Sequence, residues 1–543
     1  VIMAFAVIQA GSTLQLVGTD GTLTPLTLPS GIELRTDVPP RWAVYGRYVI
    51  LVNTPSWPLT IDGRGIVRPV TPRAPRLAAV LSGGAGGTLT GTYRVRYTFV
   101  IFDEIGNVIS ESDYSPTGNP VTITSQMLKA SNLEVSPDPV DARRCYRTTT
   151  NGAVYFQWVD LNGNVLTSVQ DDLPDAGLGE TAGPTLGTPP RLTLIAEFRD
   201  RLFGVGDIEV DNVVYTETGL MYAWNPLNTI VVPRVGSDTF GVTGLISRRE
   251  ALGVGRLNRL SQIVGTGEQS ADGQTDLRLI KLSDETGFLG QESVVVYRDT
   301  VYFLWFDGVY EWGDNGIVCL SDGRGGQGRV RSWFTTDNYF DRSAFPVAFA
   351  QVDPNRNVYQ LFLQDPAGVR HHVEFDLINR VWYGPHRIDA FAATSAFTRL
   401  NASNVKVPTV GATDGGVYAP TARAADVSLA GQAHGIAYEV DTPAFAGSSP
   451  DRLQYWGELS VLGHSQRAGT LTITPSVGYL DEQGGVALRP QAPIAHDLRK
   501  GRERLRRLGT GALAQLNLQH DGIDEPVSIL GIEIADQHDV GRR

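Results

Sequence analysis

The stretch TVYFLWFDGVYEWGDNG, residues 300–316, carries six aromatic residues around a single Asp-Gly. In a strand alternate side chains point to opposite faces, so Tyr302, Leu304 and Phe306 share one face and Phe303 and Trp305 the other. Both sets are apolar, the pattern of a strand covered on both sides. Asp307-Gly308 suits a tight turn, because glycine accepts a positive φ and aspartate bonds its own backbone. Val309–Trp312 can then return as the partner strand. A hairpin buried on both faces needs a neighbouring sheet on each side, and the rest of the chain has to supply them.

Turns of the same kind recur at Asp20-Gly21, Asp62-Gly63, Pro354-Asn355, Ile378-Asn379 and Asp414-Gly415. From Asp307 onward their spacing suits one four-stranded blade per roughly 40–50 residues, the repeat length of a propeller. A blade strand is flanked by adjacent blades, which accounts for two apolar faces. The rhythm breaks between about residues 73 and 190. There Tyr93, Val95, Tyr97 and Phe99 alternate with Arg94, Arg96 and Thr98, a half-buried strand. Turns follow at Ile105–Asn107, Asn151-Gly152 and Asn162-Gly163, as in an immunoglobulin- or fibronectin-like sandwich.

The expected fold class is therefore all-β. A β-propeller is split by an inserted sandwich and followed by a C-terminal antiparallel β domain. The expected boundaries are 1–72 for strands that complete the propeller, 73–190 for the insert, 191–430 for the main propeller and 431–543 for the last domain.

The composition agrees. The chain has 543 residues, 42% hydrophobic and 19% charged, with 60 Gly and 31 Pro, which is neither a disordered composition nor a collagenous one. With 46 basic against 58 acidic residues the formal charge is −12. That argues against a surface that grips nucleic acid, because such binding neutralises phosphates with Lys and Arg; a wall past which DNA slides is compatible with it. Lysine occurs only at 129, 281, 406 and 500, as a GC-rich genome would produce. Two cysteines, Cys145 and Cys319, cannot frame a disulfide scaffold, and a reducing site of synthesis is expected. The opening VIMAFAVIQA lacks a basic leader and reads as a buried strand. No stretch is long and apolar enough to span a bilayer.

No catalytic constellation emerges. His371-His372 are neighbours on a strand and point to opposite faces, unsuited to one metal. The Gly-rich SDGRGGQGR at 321–329 lacks the Lys-Ser/Thr of a phosphate loop and reads as a loop, with Arg324 and Arg329 as candidates for tube lining or DNA contact. The acidic pairs Asp103/Glu104 and Asp171/Asp172 lie in turn-like surroundings. The basic run Arg499, Lys500, Arg502, Arg504, Arg506 and Arg507 would, at helical spacing, share its surface with Leu505 and Leu508 on one face. It is a solvated surface, a subunit contact or a phosphate-facing ring, since Arg pairs bidentately with carboxylate or phosphate. Trp42, Trp57 and Trp224 are blade core or interface anchors. No enzyme activity, metal or cofactor is expected.

The order of parts resembles the tail-nozzle and packaged-DNA stabilisation proteins of short-tailed bacteriophages. RDRLFGVG with VVYTETGLMYAWNP, DTVYFLWFDGVYEW, DLINRVWYG, the insert's GTYRVRYTFVIFDEIGNVISESDYSP and RERLRRLGTG carry the resemblance. It implies a virion protein, assembled in the host cytoplasm as a homo-hexameric ring below the portal and adaptor. Tail fibres would be further partners, and double-stranded DNA would pass without sequence-specific binding. Two rivals stand beside it: a propeller that binds or cleaves host-surface carbohydrate, and an adhesion protein with a fibronectin-like domain.

Overall fold

The computed structural model describes residues 6–53, 57–182, 187–234, 236, 240–268, 275–322, 330–336, 339–388, 392–419, 425–427, 433–435, 438–442, 445–446, 452–463, 469–480, 486–500, 502–511, 513–520, 529–534 and 538–542. The chain is all-β, built from many small antiparallel sheets. Val1–Pro366, Phe375–Trp382 and Phe397–Pro408 form one compact unit. Ala367–Glu374, Tyr383–Ala396 and Thr409–Arg543 form the other.

In the first unit the aromatic hairpin is the middle of a sheet made by Val295–Tyr297, Thr300–Trp305, Gly308–Gly313 and Gly316–Cys319. Its two faces pack against two different neighbours. Phe303 meets Phe288 edge-on at 5.1 Å, in a core shared with Leu260 and Ala251 of the preceding sheet. Tyr302 faces Tyr359 of the following strands at 5.8 Å. Trp305 pairs directly with Gly308, so Phe306 and Asp307 form the tip and the turn sits one residue earlier than Asp307-Gly308. The reason lies beside Gly308, where a Cβ would come 2.7 Å from the Ser321 Cβ. Gly308 is there to let the next strand's end approach.

Sheets of this kind stand side by side at residues 6–26, 41–69, 192–231, 244–283 and 295–319, continued by the strands Phe349–Asp353 and Val358–Gln364 and by the hairpin at 397–408. Except at the 6–26 sheet, the first hairpin of each bonds to the first hairpin of the next. Tyr45 donates its hydroxyl to the Asp200 carbonyl at 3.1 Å, Arg199 pairs with Glu250, and Arg248 donates to the Asp299 carbonyl at 2.7 Å. Tyr297 then donates to the Asn357 side-chain oxygen at 2.7 Å, and Asn355 to the Lys406 carbonyl at 2.5 Å. Arg399 donates to the Thr19 carbonyl at 3.2 Å in the 6–26 sheet. That sheet returns to the 41–69 sheet through Asn53 and Gln9, at 2.8 Å, and through a core of Leu14, Leu51, Leu59 and Ile61. The succession closes on itself, a propeller-like ring.

Buried arginines reinforce the junctions. Arg256, fully buried in the 244–283 sheet, reaches Asp211 at 2.6 Å and the Val232 carbonyl at 3.3 Å in the previous sheet. Arg201 reaches forward to the Gly267 carbonyl at 2.9 Å. A buried guanidinium is tolerable only when carbonyls and carboxylates replace its water, and these do so.

Between the 41–69 and 192–231 sheets the chain leaves the ring to form two further sheets. One has the order Val108–Glu111, Val95–Phe102, Ala142–Thr148, Tyr155–Asn162; the other Val169–Asp171, Val121–Ser131, Val80–Tyr93. Tyr93, Val95, Tyr97, Phe99, Leu128, Cys145 and Trp158 fill one core between them, on the face the alternation selects. Arg73 forks onto the buried carboxylate of Asp138 at 2.7 and 3.0 Å, and Ser110 donates to the Val70 carbonyl at 2.6 Å. These bonds fasten the insert at its roots.

In the second unit, a sheet containing Thr470–Leu480 and Leu513–His520 shares a core with one containing Arg452–Gly463 and Arg502–Gly511: Trp456, Leu459, Leu471, Ile473, Leu508 and Leu516. Residues 502–511 are a strand, which corrects the helical reading of the basic run. Leu505 and Leu508 nevertheless face the same core. Glu458 pairs with Arg507 and Ser460 with Arg504, so the strand carries one extra residue between them. That β-bulge resets the alternation and lets positions three apart share a face. The spacing was real; its cause was a bulge.

Candidate functional site

One ion pair joins two sheets that are not neighbours in the succession. Arg41 opens the first strand of the 41–69 sheet, while Glu292 precedes the first strand of the 295–319 sheet, three places away around the ring. Their side chains touch. Burial pushes the Arg41 guanidinium down to about 10, still well above neutrality, so it remains charged. The pair sets opposite charges against each other and ties two non-adjacent sheets together.

A second cluster lies at the junction of ring and insert. Glu111 is buried and accepts hydrogen bonds from the hydroxyls of Thr98 and Tyr146, each at 2.6 Å. Tyr114 meets Tyr146 edge-on at 5.4 Å, and Arg144 forks onto Asp160 at 2.8 and 2.9 Å. Burial raises Tyr146 well above the ordinary phenol range and pushes Tyr114 and Tyr222 up to about 12. These phenols stay protonated, and that of Tyr146 is a fixed donor to the Glu111 carboxylate, an arrangement that locks rather than catalyses,.

The basic residues singled out from the sequence fall in three places. Arg499 and Lys500 sit in the turn before the Arg502–Gly511 strand. Arg499 forks onto Asp497 at 2.7 and 2.9 Å, and Lys500 pairs with Glu503. Glu503 also meets the buried His496 ring at 2.9 Å. The hydrogen bonds from Arg499 bring the Asp497 carboxyl down to about 2. Much of this turn's positive charge is therefore answered within the turn. Arg502, Arg504, Arg506 and Arg507 lie on the strand itself, with side chains outside the described residues. Arg324 and Arg329 lie outside the described residues altogether.

His372 stacks on His386 at 4.8 Å and lies 3.7 Å from Glu374. Among the described residues no three His, Cys, Asp or Glu side chains are grouped to hold a metal ion. Asp103 accepts the amides of Ile105 and Asn107 and closes its turn, whereas Asp172 accepts those of Thr88 and Leu89 and fastens the distant Val80–Tyr93 strand. Trp224 is buried in the core shared by the 41–69 and 192–231 sheets; Trp42 packs on the neighbouring one. No helix among the described residues is long and apolar enough to cross a membrane.

Sequence reasoning missed the Arg41–Glu292 pair, the Glu111 cluster and the buried arginines. Arg41 and Glu292 lie far apart in the chain, and nothing local marks either as a partner.

No family model matches this chain, and no curated protein does. Among solved structures, a puromycin hydrolase is similar at 12% identity with a TM-score of 0.25, over 75% of this chain. The chain spans 56% of that hydrolase. The extracellular domain of a one-component system from B. thetaiotaomicron is similar at 7% identity with a TM-score of 0.19, over 95% of this chain and 74% of that domain. A hybrid two-component system's extracellular domain from the same organism stands at 7% and 0.18, over 97% and 90%.

Proposed function

We propose that this chain is a non-enzymatic structural protein of a phage tail. Copies close into a hexameric nozzle below the portal and adaptor, hold packaged DNA and conduct it at ejection. The chain would assemble in the host cytoplasm, act in the virion and contact tail fibres. The finer architecture belongs to this reading: a seven-bladed propeller, a fibronectin-like insert between its second and third blades, and a C-terminal β domain. The order Val108–Glu111, Val95–Phe102, Ala142–Thr148, Tyr155–Asn162 is that of the C′-C-F-G face of such a sandwich,.

The observation that carries the reading is the ring interrupted once by a two-sheet module and cross-tied by Arg41 and Glu292. A ring whose sheets are bonded hairpin to hairpin and cross-tied between non-neighbours supports scaffolding, in which several copies build a passage between them. The formal charge of −12 supports a passage that repels DNA rather than holding it,. Arg499 and Lys500, and the arginines at 324, 329, 502, 504, 506 and 507, are the basic residues assigned to subunit contact or the passing duplex.

The test is negative-stain imaging of the purified chain at micromolar concentration, with gold labelling of the subunit on intact particles. Rings and a label at the tail are expected. Monomers throughout with an unlabelled tail would overturn the reading, and hydrolysis or tight binding of a host polysaccharide would replace it with the carbohydrate-directed one.

A further inference from the structure

Next to the Glu111 cluster, the same face of the insert carries a basic and aromatic surface. Arg94 and Arg96 alternate with core residues, so both point outward, roughly 7 Å apart along the strand. Arg94 is exposed, held only through its backbone to Thr148. The Arg96 guanidinium lies between two rings, 3.5 Å from the centre of Tyr114 and 4.4 Å from that of Tyr155. Stacking fixes its plane and leaves its edge for a planar acceptor. Its Nε is shielded from solvent and makes no hydrogen bond, and no carboxylate among the described residues forms an ion pair with Arg94 or Arg96. Val154, 52% exposed, stands next to Tyr155.

The ring carries the complement. Between Arg201–Gly206 and Asn212–Tyr215 the chain turns through Asp207, Ile208 and Glu209, all exposed, with Ile208 84% accessible. Bonds from Val232 to the Asp211 carbonyl and from Val242 to the Val210 carbonyl gather the exposed Val231 and Phe240 beside this tip. The result is an apolar knob with a carboxylate on each side of its apex.

Resting on the self-assembly proposed above, we infer that the Asp207–Glu209 tip of one copy seats on the Arg94 and Arg96 face of the next. The carboxylates take the two guanidinium groups, and Ile208 packs against Val154 and the Tyr155 ring. The occupant is a second copy rather than DNA because the apolar apex has no counterpart on a phosphate backbone. The two surfaces differ, so the contact is heterologous, the kind that generates rings when its rotation closes.

Charge reversal tests this in the full chain. Arg94, Asp207 and Glu209 are exposed and Arg96 half-buried, and circular-dichroism melting confirms that both variants, R94E/R96E and D207R/E209R, fold. By mass photometry each variant alone should associate at least tenfold more weakly than wild type. Mixed in equal amounts they should reassemble, because each reversed surface then meets a reversed partner. Wild-type monomers at every concentration would sink the assembly reading itself. Wild-type rings alongside variants that still assemble, or a mixture that stays monomeric, would leave that reading standing and remove this interface. Loss of duplex-DNA retention by R94E/R96E with self-association intact would reassign the arginines to phosphate.

Discussion

The guanidinium of Arg380 forks onto the carboxylate of Glu311 at 2.7 and 2.8 Å, joining two neighbouring sheets of the ring. Both groups are largely shielded, at 31% and 17% side-chain exposure, and the shared hydrogen bonds hold Arg380 above the ordinary arginine range. Removing one partner of a shielded bidentate pair leaves the other charge stranded. Arg380→Ala should cost about 1–3 kcal/mol in chemical denaturation, more than Arg380→Lys, and Glu311→Gln should fall between them.

Gly255 and Gly253 lie where aromatic rings from the next sheet press on a strand. A Cβ at Gly255 would come 2.2 Å from the Phe288 ring, and one at Gly253 2.7 Å from Trp312. Gly255→Ala should destabilise by about 2–3 kcal/mol through overpacking. The same change at Gly46, where nothing stands within 4 Å, should cost less, with only its positive φ of 56° to strain. Thermal melting of the two variants side by side distinguishes contact from backbone strain.

Cys145 is buried in the insert's core, and burial pushes its thiol up to about 12. Since the thiolate is the reactive form, alkylation at pH 8 should run roughly a thousandfold slower than for an ordinary cysteine. Mass spectrometry after iodoacetamide should find Cys145 unmodified in the native protein and modified after denaturation. Labelling at native rates typical of free thiols would show that the core opens.

The Asp497 carboxyl, drawn down to about 2 by Arg499, gives a pH-dependent turn. Its folded value is depressed, so its contribution is fully present above the unfolded aspartate range near pH 4 and is lost as pH falls through about 2. A carboxyl carbon titration should show this midpoint in the wild type, and a return toward the usual range in Arg499→Ala.

Leu508 is buried in the C-terminal core and Leu505 partly so. Leu508→Ala should cost about 2–4 kcal/mol and Leu505→Ala less. The far-ultraviolet spectrum of either should stay that of a β protein. A helical signature lost on mutation would contradict the strand.

The all-β character was legible because its signals are local. Alternation in Tyr93–Phe99 selects the insert's core, and two apolar faces on Tyr302–Trp305 announce a strand between neighbours. Turns showed within a residue or so, as at Phe306-Asp307. The basic run was misread because a bulge imitates helical spacing at Leu505 and Leu508. Junction chemistry was not legible: Arg201 to Gly267, Arg256 to Asp211 and Arg380 to Glu311 are contacts between distant segments. An arginine at a hairpin's end looks the same whether it meets water or a carboxylate. Only closure of the ring decides which.

The Arg41–Glu292 contact ties together two sheets that are not neighbours in the succession. Loosening either sheet must therefore pull on the other, so strain at one is shared across the unit instead of staying local.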